Sequence, residues 1–225
     1  MNKFIQQDLT PDIVKTDNPR IGLIALSTDF TIEQDFRNIC HHNPVDIFVN
    51  RIPFENPLNH KNYLKMADHI SEVSSQILPS EDIDIVAYGC TSGTIAIGAD
   101  RIKEEVNKAK PKAKVTTPIT AAMKAFNHLG LKKIAVLTPY PKDVNATVYN
   151  YLIDNNINVE SFSSFNLEYD SEIAQVSLAS LEKEISKIDL SNVDGLFVSC
   201  TALKIVDVLD RVESSQNTVV ISSNQ

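Results

Sequence analysis

The sequence predicts a parallel α/β fold of two similar lobes, each a four-stranded parallel sheet flanked by helices. A pseudo-two-fold axis would relate the lobes, with a site between them. Three observations predict this. Asp84-Ile85-Val86-Ala87-Tyr88-Gly89-Cys90-Thr91 returns 110 positions later as Asp194-Gly195-Leu196-Phe197-Val198-Ser199-Cys200-Thr201. An Asp-Arg-aliphatic triplet follows each cysteine at the same spacing, Asp100-Arg101-Ile102 and Asp210-Arg211-Val212. Short, wholly apolar runs alternate with longer stretches of helical period, the pattern of strands covered on both faces by crossover helices.

The elements follow in order. Residues 1–19 are polar and end in Asp-Asn-Pro, which suggests an extension or a partner-packing arm. The run 20–26 is a buried strand, and 31–40 a helix with Asp29 or Thr28 as N-cap and acidic residues in its first turn. Residues 45–50 form a second strand, and the two prolines of 51–58 make that stretch a loop. A helix over 61–78 stops at Pro79. The strand 83–88 leads to Cys90 and a helix through about Asn107. A strand at 115–117 and a helix over 119–129, closed by Gly130, end a first lobe spanning 20–130.

The order then restarts in a second lobe, 131–225. Strand 133–138, helix 142–155, strand 159–162, helix 171–188, the strand 195–198 before Cys200, and strand 219–222 complete two rounds of β-α-β-α-β. The second lobe lacks a counterpart to the helix 119–129, so either the chain is truncated or another chain covers that face. A homodimer is the expectation.

Composition narrows the function. A net charge of −8 argues against nucleic acid or an anionic membrane as partner, but not against a small carboxylate, which needs only local donors. No apolar run approaches the roughly 18 residues of a membrane span, and the first eleven residues have no apolar core of a secretory signal. Three widely spaced cysteines do not form a disulfide framework. A cytoplasmic protein is expected.

Cys90 and Cys200 carry the chemistry. A cysteine within a strand is usually a small buried hydrophobe, but each of these follows its strand and precedes Thr and a helical stretch. At a helix N-terminus free N–H groups favour thiolate over thiol. The same N–H groups, with the hydroxyls of Thr91 and Ser92, would bind a carboxylate. In open parallel sheets ligands bind beyond the carboxyl ends of strands, where both thiols sit. Cys40, in Cys40-His41-His42, has no such context, and no other His/Cys cluster suggests a metal. Gly93 and Gly98 fit neither phosphate-loop pattern and suit close packing instead.

These residues resemble the aspartate/glutamate racemase superfamily, in the branch of maleate cis–trans isomerase, arylmalonate decarboxylase and the racemase-like A protein of ectoine utilisation. The carriers are Ser27-Thr28-Asp29 with Thr31 and Glu33, Ala87 to Gly93, Thr138-Pro139-Tyr140 with Asn145, Ser199 to Leu203, and Ser223-Asn224-Gln225. The resemblance implies a catalytic pair, Cys90 and Cys200, working without cofactor or metal. It implies that Thr91, Ser92 and Tyr140, with N–H groups around Thr201, hold a substrate carboxylate, and that Ser27 and Asn145 touch substrate. Maleate isomerases typically show Asn where this chain has Asp29. With the stretch 51–57, that departure resembles the ectoine-utilisation protein and suggests a diaminobutyrate or hydroxylated derivative as substrate. Asp29 would pair with a substrate amino group, or would only cap its helix.

Two thiols on opposite faces of one carbon, each about 3–3.5 Å from it, would stand roughly 7 Å apart, too far for a disulfide. The expectation is a cofactor-independent racemase or isomerase. The alternatives are maleate-type isomerisation by thiolate addition, weakly supported thiol redox chemistry, and a non-catalytic carboxylate-binding module.

Overall fold

The computed structural model describes residues 5–225. Lobe one holds β1 (Arg20–Leu26), α1 (Ile32–Cys40), β2 (Asp46–Ile52), α2 (His60–Lys65), α3 (Ile70–Ser75), β3 (Ile85–Gly89), α4 (Thr91–Ile97), α5 (Ala99–Ala109), β4 (Lys114–Thr116) and α6 (Pro118–Leu129). Lobe two holds β5 (Lys133–Thr138), α7 (Lys142–Asp154), β6 (Asn158–Ser164), α8 (Asp170–Ala174), α9 (Leu178–Ile185), β7 (Gly195–Val198), α10 (Leu209–Gln216) and β8 (Val219–Ser222).

Each lobe has one four-stranded sheet, and the strand orders match: β2-β1-β3-β4 and β6-β5-β7-β8. Every pairing is parallel. The central strands are the continuous apolar runs, and Leu23 to Leu26 and Ile134 to Leu137 are buried throughout, as burial on both faces requires. The edge strands β2 and β6 alternate with half-exposed polar residues. Among the described residues, no helix is long and apolar enough to cross a membrane. Residues 5–19 form neither helix nor strand, and Thr16 and Asn18 tie the end of that segment to the Asp46 carboxylate.

Three helices expected as single units are broken. The stretch 61–78 tightens into a 3₁₀ turn over Met66–His69, which sets Met66 against the Tyr88 hydroxyl and Gly93. The helix after Cys90 breaks at Gly98, whose φ of +94° a glycine adopts most readily. Gly98 closes α4 through its N–H to Thr94 and opens α5 through its carbonyl. The stretch 171–188 divides into α8 and α9, because Ser177 starts a new helix by capping the N–H of Ser180.

The second sheet is not left bare by its missing final helix. α6 of the first lobe packs beside β8, and Phe126 on α6 meets Phe197 on β7 edge to face with centroids 5.4 Å apart. A helix counted with the first lobe therefore covers part of the face for which the sequence left two explanations, a truncated chain or a second chain.

Candidate active site

β3 and β7 end beside each other, where Cys90 and Cys200 are both buried, 4% and 5% exposed. Cys90 is the N-cap of α4 and its Sγ accepts the Gly93 N–H at 3.2 Å. Gly93 has no room for a side chain: a Cβ there would stand 2.8 Å from this sulfur.

Cys200 departs from the expected match. No helix starts at its next residue; residues 201–203 form turns, a 3₁₀ turn spans Val206–Val208, and α10 begins only at Leu209. Its φ is +139°, a region that L-residues rarely occupy and that costs on the order of 1–3 kcal/mol. Surrounding bonds hold it there. Its N–H donates to Ser223 Oγ at 3.0 Å, Asn224 Nδ2 donates to the Thr201 carbonyl at 2.8 Å, and Thr31 Oγ1 donates to the Ala202 carbonyl at 2.9 Å. The Ala202 N–H approaches the sulfur at 3.4 Å. The repeat thus keeps both thiols at strand ends while only one of them sits on a helix.

The two threonines that follow the cysteines reach across the lobe boundary. Thr91 Oγ1 donates to Ser223 Oγ at 2.8 Å. Thr201 Oγ1 donates to Asp29 Oδ2 at 2.8 Å. Asp29 Oδ1 accepts the N–H groups of Thr31 and Ile32, so Asp29 caps the start of α1 as well as holding the second lobe. The hydroxyls of Thr91 and Thr201 are therefore committed to the protein. Ser92 Oγ, 3.9 Å from Cys90 Sγ, has no such tie.

The other expected contact residues divide in the same way. Ser27 Oγ accepts the Phe54 N–H at 3.0 Å and fixes the loop after β2. Asn145 donates to the Tyr140 carbonyl at 2.7 Å and accepts from Thr138, which holds the Tyr140 turn in place. Tyr140 is buried, and its phenol lies beside Cys200.

Two residues that sequence reasoning passed over, Tyr63 and Asp170, belong to the site, and Ser223, named only within the resemblance, gains a role. Tyr63 on α2 is 2% exposed, stacks on Phe54 and has a hydroxyl with no partner in hydrogen-bonding geometry. Ser92 lies close enough to influence that hydroxyl without meeting it squarely. Asp170, at the start of α8, is buried and accepts the Thr28 hydroxyl. Ser223 is the shared acceptor already described.

Burial opposes the expected thiolate at both cysteines. Burial is the largest influence on Cys90 and pushes its thiol up to about 12, with Asp170 and Asp29 adding to the rise. The Gly93 N–H and Ser92 pull the other way and lose. Burial and Asp170 likewise raise Cys200 well above the ordinary thiol value, against the Ala202 N–H and the Tyr140 hydroxyl. α4 has only seven residues, and its N-terminus does not outweigh desolvation. Burial also raises Asp170 to about 6, aided by Asp29 and opposed by Thr28.

Residues 56–225 match the family model described as arylmalonate decarboxylase. The chain belongs to that family. The maleate isomerase of Geobacillus stearothermophilus is 24% identical over 217 residues, covering 91% of this chain and 86% of that protein. The crystal structure of the maleate isomerase Iso from Pseudomonas putida S16 superposes with a TM-score of 0.83 at 19% identity, over 92% of this chain and 89% of that one. A Nocardia farcinica maleate cis–trans isomerase with a covalently bound succinylcysteine intermediate gives 0.82 at 16% identity, over 92% and 88%. The two superposed maleate isomerase structures share the fold found here.

Proposed function

We propose that the chain is a cofactor-independent isomerase, of racemase or epimerase type, acting on a small carboxylate through Cys90 and Cys200. The observation that carries this reading is the placement of two buried thiols at equivalent strand ends on either side of the lobe boundary, joined by Thr91, Ser223 and the Cys200 N–H. One sulfur, as thiolate, removes the α-proton and becomes thiol. The electron pair moves into the carboxylate as an enediolate. The opposite thiol then gives its proton to the other face and becomes thiolate, so no net oxidation occurs. Ser92 and Tyr140 donate to the substrate carboxylate, where an enediolate needs stabilising most. Thr91, Thr201 and Asn145 position these groups, and Ser27 shapes the adjoining loop. A diaminobutyrate-like amino acid of the ectoine-utilisation type is the favoured substrate, and a homodimer the favoured assembly.

A second reading is cis–trans isomerisation. The Nocardia relative carries a succinylcysteine, which supports thiolate addition to an alkene, rotation about the resulting single bond and elimination of the thiolate. Proton NMR in D₂O separates the two, using maleate, aspartate, glutamate and 2,4-diaminobutyrate with wild type, Cys90→Ser and Cys200→Ser. Deuterium entering an α-position, lost in either variant, is the expected result. Maleate converted to fumarate without such exchange would replace the first reading with the second. Silence across the panel would overturn both.

A further inference from the structure

Two carboxylates that the thiol chemistry does not use stand beside both sulfurs. Asp170 is 5% exposed; Thr28 holds its Oδ2, and Asn56 Oδ1 holds its backbone N–H at 3.3 Å. Asp29 is 2% exposed and is fixed through Thr201 to the residue after Cys200. Each of these charges acts on both thiols, and among the described residues no lysine or arginine is a main influence on the thiols or on Asp170. Arg51, the cation nearest along the loop, faces away, donating to the carbonyls of Leu26 and Asp29 and pairing with Glu33. A buried carboxylate without a cation is costly. Beside this pair lies an independent sign of a ligand, the Tyr63 hydroxyl. It is buried and unpartnered, and lies within electrostatic reach of Cys90, Cys200 and Asp170. Tyr63 and Ser92 also line a cavity of about 180 Å³ between α2, α4 and α7, which adjoins the unpartnered hydroxyl.

We propose that Asp170, supported by Asp29, is a specificity-determining residue that pairs with a substrate ammonium, so that the site takes a small amino carboxylate in preference to a dicarboxylate. This rests on the carboxylate-isomerase reading above and names its substrate class. The charge logic is direct. The second carboxylate of a dicarboxylate would be a third negative charge beside Asp29 and Asp170, whereas an ammonium supplies the missing counter-charge. The same ammonium offsets the part of the thiols' rise that Asp170 and Asp29 add to burial, so the right substrate eases formation of the thiolate that attacks it.

Isothermal titration calorimetry with ligand pairs differing only in the amine tests this: aspartate against succinate, and 2-aminobutyrate against butyrate. Wild type should bind the amine-bearing member at least about thirtyfold more tightly. Asp170→Asn, which keeps an acceptor for Thr28, should remove that preference. If Asp170→Asn fails to fold, the wild-type preference and its loss on titrating from pH 7 to pH 5 decide the matter. Equal or weaker binding of the amine-bearing members, no binding of any of them, or a preference that survives Asp170→Asn overturns the proposal. Amine-selective binding without deuterium exchange would sink the isomerase reading and leave this one standing. Exchange on a dicarboxylate without amine selectivity would do the reverse.

Discussion

Thr91 donates its hydroxyl to Ser223 Oγ at 2.8 Å, and that same oxygen accepts the Cys200 N–H at 3.0 Å. The residue after the first thiol thus fixes the backbone of the second. Ser223→Ala leaves the buried Cys200 N–H without an acceptor and frees a cysteine held at a positive φ. Denaturant unfolding should show a loss of about 1–3 kcal/mol. The exchange rate kcat should fall with little change in KM, because the substrate-contacting hydroxyls remain. A fully active variant of unchanged stability would show that this link does not position Cys200.

Gly93 marks the tightest approach around Cys90. An added Cβ would meet Cys90 Sγ at 2.8 Å and Met66 Cε at 2.7 Å. The methionine tip can swing aside, but the sulfur cannot move without leaving its N–H donor. Gly93→Ala should therefore reduce exchange on the order of a hundredfold. Its net stability cost should stay near ~1 kcal/mol, since alanine's better helix propensity offsets part of the crowding. Calorimetric melting beside steady-state exchange rates separates the two effects.

The fold was legible because parallel sheets write themselves as unbroken apolar runs. Leu23 to Leu26 and Ile134 to Leu137 could hardly be anything else, and the doubled motif placed both cysteines at strand ends. What the sequence hid was asymmetry. Ser199-Cys200-Thr201 looks like Gly89-Cys90-Thr91, yet Gly93 permits a helix to pack against Met66, while after Cys200 a 3₁₀ turn comes only at Val206–Val208 and an α-helix only at Leu209. The helix break at Gly98 depends on a positive φ, which a glycine permits but does not announce. Tyr63 and Asp170 were missed because they lie on short helices away from the cysteine motifs, and only the folded chain brings them to the thiols. The thiolate expectation left out burial: helix-end donors are visible in a sequence, but the depth of burial that opposes them is not.

The raised thiols can be tested by alkylation. With Cys90 pushed up to about 12, only about one thiol in ten thousand is ionised at pH 8. Iodoacetamide, followed by peptide mass spectrometry, should label half-buried Cys40 first and Cys90 and Cys200 far more slowly. Labelling of Cys90 should accelerate about tenfold per pH unit from 8 to 10. Rapid labelling of Cys90 with a midpoint below pH 9 would mean that the α4 donors outweigh burial after all.

Asp35 offers a pH test that does not depend on catalysis. It is 2% exposed on α1, and Asn224 Nδ2 donates to its Oδ2 at 2.6 Å, joining the end of the chain to the first lobe. Burial is the main influence and raises the carboxyl from 3.8 to about 6, against the Asn224 bond and with help from Asp207 and Asp29. Because the folded state holds this proton more tightly than the unfolded chain does, the group's contribution is intact below about pH 4 and is lost as pH rises through about 6. The full cost above that range is at most about 3 kcal/mol. Asp35→Asn keeps an acceptor for Asn224 and removes the titration. It should therefore be more stable than wild type at pH 7.5, by about 1–3 kcal/mol in urea unfolding, with the advantage shrinking toward zero near pH 4. An advantage that is constant with pH, or a variant less stable at pH 7.5, would show that the ionised carboxylate is held by Asn224 strongly enough to offset its burial.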